Sequence, residues 1–294
     1  MHDVETVMRN LIEISDVALV DGWRGWVAIR AAGKDQFSKA GWEKLLAKPE
    51  KLLEGAQQTL KIEGLNTVTV KYLDIGGRGV KAVIKQRQTG GGIRGIFRSM
   101  GAAHAIRNFI AAVKIRQYGL PVAAPLAAVY HKRFLFCDQS IYISEYIEGT
   151  NLYEFLKNMK ASGEERYWIM RELSARMAEI FAELHKNNLW HRDAKATNFV
   201  VSQDSDGEYG VTITDVDGIK QYFSSSEDRQ MQGLWQLAAS VMELAGITRT
   251  DYLRVFEMYC DEVRISAEQR GDIFRRLVQK AQAKYHLKQA RQGR

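Results

Sequence analysis

The stretch of this sequence richest in chemistry is WHRDAKATNFV (190–200), followed closely by VTITDVDG (211–218). Asp193 lies just before an apolar run that reads as a strand, where its carboxylate can meet an incoming hydroxyl. Lys195, two residues on, can reach phosphate oxygens. Asn198 and Asp215 both offer oxygen to a divalent cation if a hairpin brings its two ends together. Mg2+ takes few protein ligands and completes its shell with substrate phosphate. One base, one cation and two oxygen ligands are the parts that in-line phosphoryl transfer needs. The plainer alternative is a turn between helix and strand in which Asp193 and Asn198 only cap backbone groups. That alternative leaves Lys195 and Asp215 unexplained.

His191-Arg192-Asp193-x-Lys195-x-x-Asn198 resembles the catalytic loop of the protein-kinase-like superfamily, and Asp215 resembles the metal-binding aspartate that follows it. Val83-Ile84-Lys85 is similar to the strand whose lysine contacts the nucleotide phosphates. ISEYIEG (143–149) resembles the segment joining the two lobes, where backbone groups around Glu145 and Ile147 would meet an adenine edge. A finer resemblance, over roughly residues 66–245, is to the lipopolysaccharide core kinases, the group of the Kdo and heptose kinases. It is carried by KQRQTGGGIRG (85–95), by RNFIAAVKIRQYGLPVAAP (107–125) and by Asp215-Val216-Asp217-Gly218.

The resemblance implies an α+β, bilobal protein-kinase-like fold, with a strand-rich lobe over 1–145 and a helical lobe over 146–294. It implies an ATP-dependent kinase using Mg2+, with a sugar hydroxyl of the lipopolysaccharide inner core or a similar envelope glycan as acceptor. It places the enzyme in the cytoplasm, peripheral at the inner face of the inner membrane. Asp193 and Lys195 become the catalytic residues, Lys85, Glu145 and Ile147 the nucleotide contacts, and Asn198 and Asp215 the metal ligands. Asp217, Gly91 and Gly92 are auxiliary candidates.

Two departures from the family pattern stand out. The helix glutamate that pairs with the strand lysine is replaced by Asn108, and no acid occurs between Lys85 and Asp138. Lys85 is therefore expected closer to phosphate, or held from elsewhere, with Asp217 a candidate. The turn EGLN (63–66) also lacks a GxGxxG phosphate loop. These departures keep a non-catalytic ATP-binding scaffold as one alternative; a small-molecule kinase of the aminoglycoside or choline type is another. A protein acceptor fits poorly. Only 11 residues separate Asp215 from Glu227 and no proline follows Pro125, so the activation segment and Ala-Pro-Glu anchor of protein kinases have no counterpart.

The surrounding pattern supplies elements to position these residues. DVALVDG and WRGWVAIRAAG read as strands about a turn at Asp21-Gly22, and SKAGWEKLLAKPE as a short helix stopped by Pro49. NTVTVKYLD (66–74) and VKAVIKQR (80–87) alternate about GGRG, which predicts a hairpin on the edge of a sheet. A helix over about 102–118 ends at Gly119 and Pro121, and strands follow at 123–131 and 139–149. Beyond Gly149 the period becomes helical. Thr150 is placed to cap one helix, and Ser162 with Glu165 forms a capping-box pattern for the next, which carries Ile169, Leu173, Met177, Ile180, Phe181 and Leu184 on one stripe. NFVVS and VTIT form a second hairpin, and further helices run to the C-terminus.

Composition sets the outer bounds. With 294 residues, 46% apolar and 26% charged, the chain is neither disordered nor fibrous. The longest apolar run, 120–130, is too short to span a bilayer, and MHDVETVMRN does not read as a secretory signal. Cys137 and Cys260 lie far apart in apolar surroundings and read as buried thiols in a reducing compartment. The formal charge of +7 favours anionic partners. The excess concentrates in 274–294, which has no acid and places Phe274, Leu277, Val278, Ala281 and Tyr285 at helical spacing. A solvated terminal helix and contact with an anionic membrane surface or glycolipid are both open for this segment, and nucleic acid is not expected.

Overall fold

The computed structural model describes residues 13–19, 22–31, 35–88, 104–133, 136–222 and 227–292. The chain divides between Tyr146 and Ile147 into two compact units.

The first unit is an antiparallel sheet with helices on it. Along the chain run β1 (Glu13–Ala18), β2 (Trp23–Ala31), β3 (Asp35–Gln36), α1 (Lys39–Leu45), a 3-10 turn (Pro49–Leu53), β4 (Gln58–Glu63), β5 (Asn66–Asp74), β6 (Gly79–Gln88), α2 (His104–Gln117), β7 (Pro125–Arg133) and β8 (Phe136–Glu145). The spatial order is β1-β2-β7-β8-β6-β5-β4, with β3 beside β2. The hairpin expected at the edge is therefore interior: β6 pairs with β8, and β4 covers β5 and becomes the edge. Every residue of β4 is exposed. Pro49 opens the 3-10 turn; the helix before it has already ended at Leu45.

Residues directly opposite one another across antiparallel strands share a face. The register lines up Trp26, Ala128, Tyr142, Lys85, Val68 and Lys61 in one row. Helix α2 lies over this face, since Phe109 meets the Trp26 ring edge-on with centroids 6.3 Å apart. The next row, with Val27, Ala127, Ile143 and Ile84, points to the opposite face and is wholly buried. There the 3-10 turn is tied down by Lys71, whose Nζ donates to the carbonyls of Leu52 (3.2 Å) and Glu54 (2.5 Å). Arg116 seals the exit of α2 by donating to the Val122 carbonyl at 2.7 Å.

The second unit contains β9 (Thr150–Asn151), α3 (Leu152–Asn158), α4 (Gly163–Lys186), β10 (Leu189–His191), a 3-10 turn (Ala196–Asn198), β11 (Phe199–Gln203), β12 (Tyr209–Ile213), β13 (Ile219–Gln221), α5 (Glu227–Val241), α6 (Arg249–Val263) and α7 (Ala267–Gln292). Helix α4 packs on α6, and α5 on α7. Of the expected stripe, Leu173, Met177, Ile180, Phe181 and Leu184 are buried as their spacing requires, and Ile169 at its start is half-buried. The caps differ from expectation. Asn151, not Thr150, caps α3 by accepting from the Glu154 N–H at 3.0 Å, because Thr150 pairs with Val201 in a strand. Ser162 stands at the N-cap of α4 without a side-chain capping bond.

Cys137 and Cys260 are buried thiols outside any disulfide, and burial pushes them up to about 11 and about 12. On α7, Phe274, Leu277 and Ala281 are buried, while Arg276, Lys280 and Lys288 pair with Glu227, Asp228 and Glu243. Part of the basic run thus fastens α7 to its neighbours. No described helix is long and apolar enough to cross a membrane.

Candidate active site

Helix α4 ends at Asn187-Asn188, where Asn188 takes φ 54, and the chain turns into β10. The ladder between β10 and β13 pairs His191 with Ile219, and Arg192 N–H donates to the Gly218 carbonyl at 2.8 Å. The candidate catalytic loop and the segment after Asp215 are therefore bonded to each other through backbone.

His191 is completely buried against Phe199, with ring centroids 5.8 Å apart. Burial lowers its pKa to about 4, against the opposite pull of Asp215 and Asp193, so the ring is neutral at neutral pH. Gly218 is the residue that admits this ring. A Cβ there would come within 2.7 Å of His191 Cε1 and 2.8 Å of Nδ1.

The loop is then closed by short-range bonds. Lys195 N–H donates to the Asp193 carbonyl at 2.9 Å and Asn198 N–H to the Lys195 carbonyl at 2.8 Å. The Asn198 side-chain nitrogen also donates to the Asp193 carbonyl, at 2.9 Å. Helix α5 buttresses the loop from outside: Ser240 Oγ accepts from the Ala196 N–H at 2.9 Å, and Gln232 donates to the Arg192 carbonyl at 3.2 Å. Within the loop, Lys195 Nζ sits 2.8 Å from Asp193 Oδ2, with both side chains about half exposed. A carboxylate and a cation thus face solvent together at a rigid turn.

Asn198 and Asp215 are brought together by the hairpin. Phe199 pairs with Ile213, and the next residue, Thr214, donates to the Asn198 carbonyl twice, from N–H at 3.0 Å and from Oγ1 at 3.2 Å. Asp215 follows directly. With its amide nitrogen committed to the Asp193 carbonyl, Asn198 has its amide oxygen left to offer to a cation. Among the described residues no group of three or more His, Cys, Asp or Glu forms a metal cluster. An amide oxygen beside a carboxylate is a hard-oxygen pair that suits Mg2+ completed by phosphate. Asp217 lies on the far side of the buried Val216 and is already engaged in an interaction of its own.

In the first unit, Lys85 is half-buried on the α2 face of β6 and is likewise engaged. Asn108, at the position of the expected glutamate, is 3% exposed, with its Nδ2 3.4 Å from His104 Nδ1. Glu145 donates its N–H to the Ala124 carbonyl at 2.8 Å, which removes that donor from any adenine edge and leaves its carbonyl. Ile147 opens the second unit. Gly91 and Gly92 lie outside the described residues.

Ser240, Gln232 and Thr214 were not singled out by the sequence. The first two lie some forty residues from the loop they support and look like ordinary polar positions on a helix. Thr214 carries a local signal, being the last residue before the acid.

Residues 66–259 match the model of the lipopolysaccharide kinase (Kdo/WaaP) family. A probable serine/threonine-protein kinase of Dictyostelium discoideum is 30% identical over 98 residues, which is 32% of this chain and only 18% of that protein. Among solved structures, WaaP in complex with acyl carrier protein superposes with a TM-score of 0.58 at 16% identity, covering 81% of this chain and 93% of that one. At that identity the likeness speaks for the fold, which is protein-kinase-like with a sheet-rich N-terminal and a helical C-terminal unit. Because the matched region exceeds half the chain and contains Lys85, the loop at 191–198 and Asp215, this chain belongs to the lipopolysaccharide kinase (Kdo/WaaP) family.

Proposed function

We propose that the protein transfers phosphate from ATP to a sugar hydroxyl of a lipopolysaccharide-type glycan, with Asp193, Lys195, Asn198 and Asp215 as its working residues. The observation that carries this reading is the single backbone-bonded unit in which these four side chains stand: the β10–β13 ladder on one side and the Asn198–Thr214 clamp on the other.

Asp193 receives the acceptor hydroxyl, orients it and takes its proton as the new bond forms. Lys195, 2.8 Å from that carboxylate, supplies positive charge to the transferring phosphoryl group. Asn198 and Asp215 would hold Mg2+, which when bound would offset charge on the nucleotide phosphates. Lys85 of the first unit meets the phosphates; the Glu145 carbonyl, and the backbone of Ile147 at the start of the second unit, are the adenine contacts. The enzyme works in the cytoplasm as a peripheral protein, because a glycolipid acceptor is met at a membrane surface. The cations that α7 does not place in ion pairs favour an anionic surface there.

The test is transfer from ATP to purified inner-core acceptors, amino-sugars and choline, with products read by 31P NMR. A phosphomonoester on the inner-core sugar is expected. Transfer to amino-sugar or choline alone would replace the acceptor, and ATP binding without any transfer would favour the non-catalytic scaffold.

A further inference from the structure

The hairpin that should cover the nucleotide phosphates is unusually bare. β4 and β5 are joined by only Gly64-Leu65, with Gly64 at φ 56. A positive φ at the first central residue is what a tight type II′ connection requires. Such a turn has no slack to arch over a ligand, and it is also tied back: Gln88 N–H donates to the Leu65 carbonyl at 3.0 Å. The backbone flap that cradles phosphates in a glycine-rich loop is therefore not built here.

The register puts a side chain where the flap is missing. Lys61 on the edge strand β4 is opposite Val68, which is opposite Lys85. Lys61 and Lys85 thus share one row on one face, two strand spacings or roughly 10 Å apart, with only a valine between them. Toward the turn this face adds Arg87, opposite Asn66, and one acid, Glu63. The Lys61 ammonium now pairs with Glu63 at 2.5 Å, but the two side chains are 62% and 69% exposed. An ion pair that open is worth little and exchanges readily for a stronger anion. A flexible four-carbon stem ending in a point charge suits a phosphate ligand.

We infer that Lys61 is a second phosphate-binding lysine, acting with Lys85 on the polyphosphate of the nucleotide in place of a glycine-rich flap. This rests on Lys85 being the phosphate lysine of the function proposed above. Lys61 leaves Glu63 for the phosphates when nucleotide binds, and the edge position of β4 gives it room to do so.

Calorimetric titrations of Lys61→Gln, Lys61→Arg and Lys85→Gln with Mg·ATP and with AMP test this, alongside thermal melts. A lost charge-assisted contact corresponds to roughly ten-fold weaker binding. Lys61→Gln should lose that much affinity for ATP and none for AMP, Lys61→Arg should keep most of it, and the melts should coincide. Unchanged ATP affinity in Lys61→Gln, with loss in Lys85→Gln, would overturn the role of Lys61 and leave the proposed function standing. Equal loss for ATP and AMP would overturn it too, as an effect on the hairpin rather than on phosphate. Wild-type ATP affinity in both variants would overturn Lys61 and the nucleotide reading together.

Discussion

The proposed acceptor side and the proposed nucleotide side of this protein are held by different means. In the second unit the working residues sit on turns closed by backbone bonds: Arg192 to Gly218, Thr214 to Asn198, Asn198 to Lys195. Apart from the Asn198 side chain, which itself bonds the Asp193 carbonyl, these positions are fixed by backbone bonds that any side chain could accompany. In the first unit Lys61 and Lys85 sit in mid-strand, placed by the register of a sheet whose partners come from as far away as β8. A turn closed on itself positions a side chain from local sequence, whereas a strand positions it only once distant strands have paired. The two sides should therefore fail differently when altered.

The largest effect is expected at Asp193. Asp193→Asn keeps the loop bonds, which use the Asp193 carbonyl, and removes the charge proposed to meet the hydroxyl together with its ion pair to Lys195. Turnover should fall by about 10²–10⁴ while ATP affinity stays within a few fold. Near wild-type phosphorylation by this variant would move the base elsewhere.

Next comes Asp215→Ala, which removes the only charged ligand of the proposed metal pair. Mg·ATP affinity and turnover should fall together, and Asn198→Ala should do the same more mildly, partly through the lost bond to Asp193. Titration with Mg·ATP reads both. An unaltered affinity in Asp215→Ala would hand the metal role to Asp217.

The same contrast explains what the sequence disclosed. The loop at 191–198 and the acid at 215 were legible because their spacing is most of their geometry: a few residues of chain and one hairpin contain the bonds that close them, and only the support from Ser240 and Gln232 comes from afar. The kinase-like fold followed from those residues, and the family from them together with the segments at 85–95 and 107–125 and the acid-x-acid-glycine run at 215–218. The sheet was legible as strands but not as an order. Alternation over 66–87 announces a hairpin, yet its pairing with β8 depends on residues more than fifty positions away, so the edge was misplaced. Capping failed for a related reason. Thr150 and Ser162 have the right type, but Thr150 is drawn into a strand with Val201, and Ser162 forms no side-chain bond to its helix. Local preference yields where tertiary pairing offers the same groups another partner.

A smaller effect tests the interior of the acceptor side through pH. His191 and His185 are both held neutral by burial, with pKa values lowered to about 4 and about 3; His185 lies 2.8 Å from the Tyr259 hydroxyl. Each binds its proton more weakly folded than unfolded. Their contribution to stability is complete above about pH 6.5 and is lost progressively as pH falls toward those folded values, by a few kcal/mol in all. Melting of the wild type should decline steeply across that window. Gly218→Ala, which forces the His191 ring aside, should cost about 1–3 kcal/mol already at neutral pH. A melting temperature flat from pH 7 to pH 4.5 would show that neither ring is buried neutral.

The smallest effect on turnover is expected on the nucleotide side, at Asn108. In most kinases a helix glutamate fixes the strand lysine, and losing either partner costs activity. Here α2 does lie on the face that carries Lys85, as the meeting of Phe109 with Trp26 in the Lys85 row requires. Asn108 is buried at 3% exposure beside His104, however, and Lys85 is already engaged. A carboxylate installed by Asn108→Glu would compete with an existing partner rather than complete a vacancy, and any part of its charge left unpaired would be costly to bury. Turnover should stay within about three-fold of wild type while stability falls by about 1–3 kcal/mol. Kinetics and thermal melts on the same preparation separate the outcomes. A ten-fold gain in activity without loss of stability would mean that Lys85 does await a carboxylate from α2. Loss of both, together with full activity in Lys85→Ala, would mean that the phosphates are held by another residue of the sheet, with Lys61 first in line.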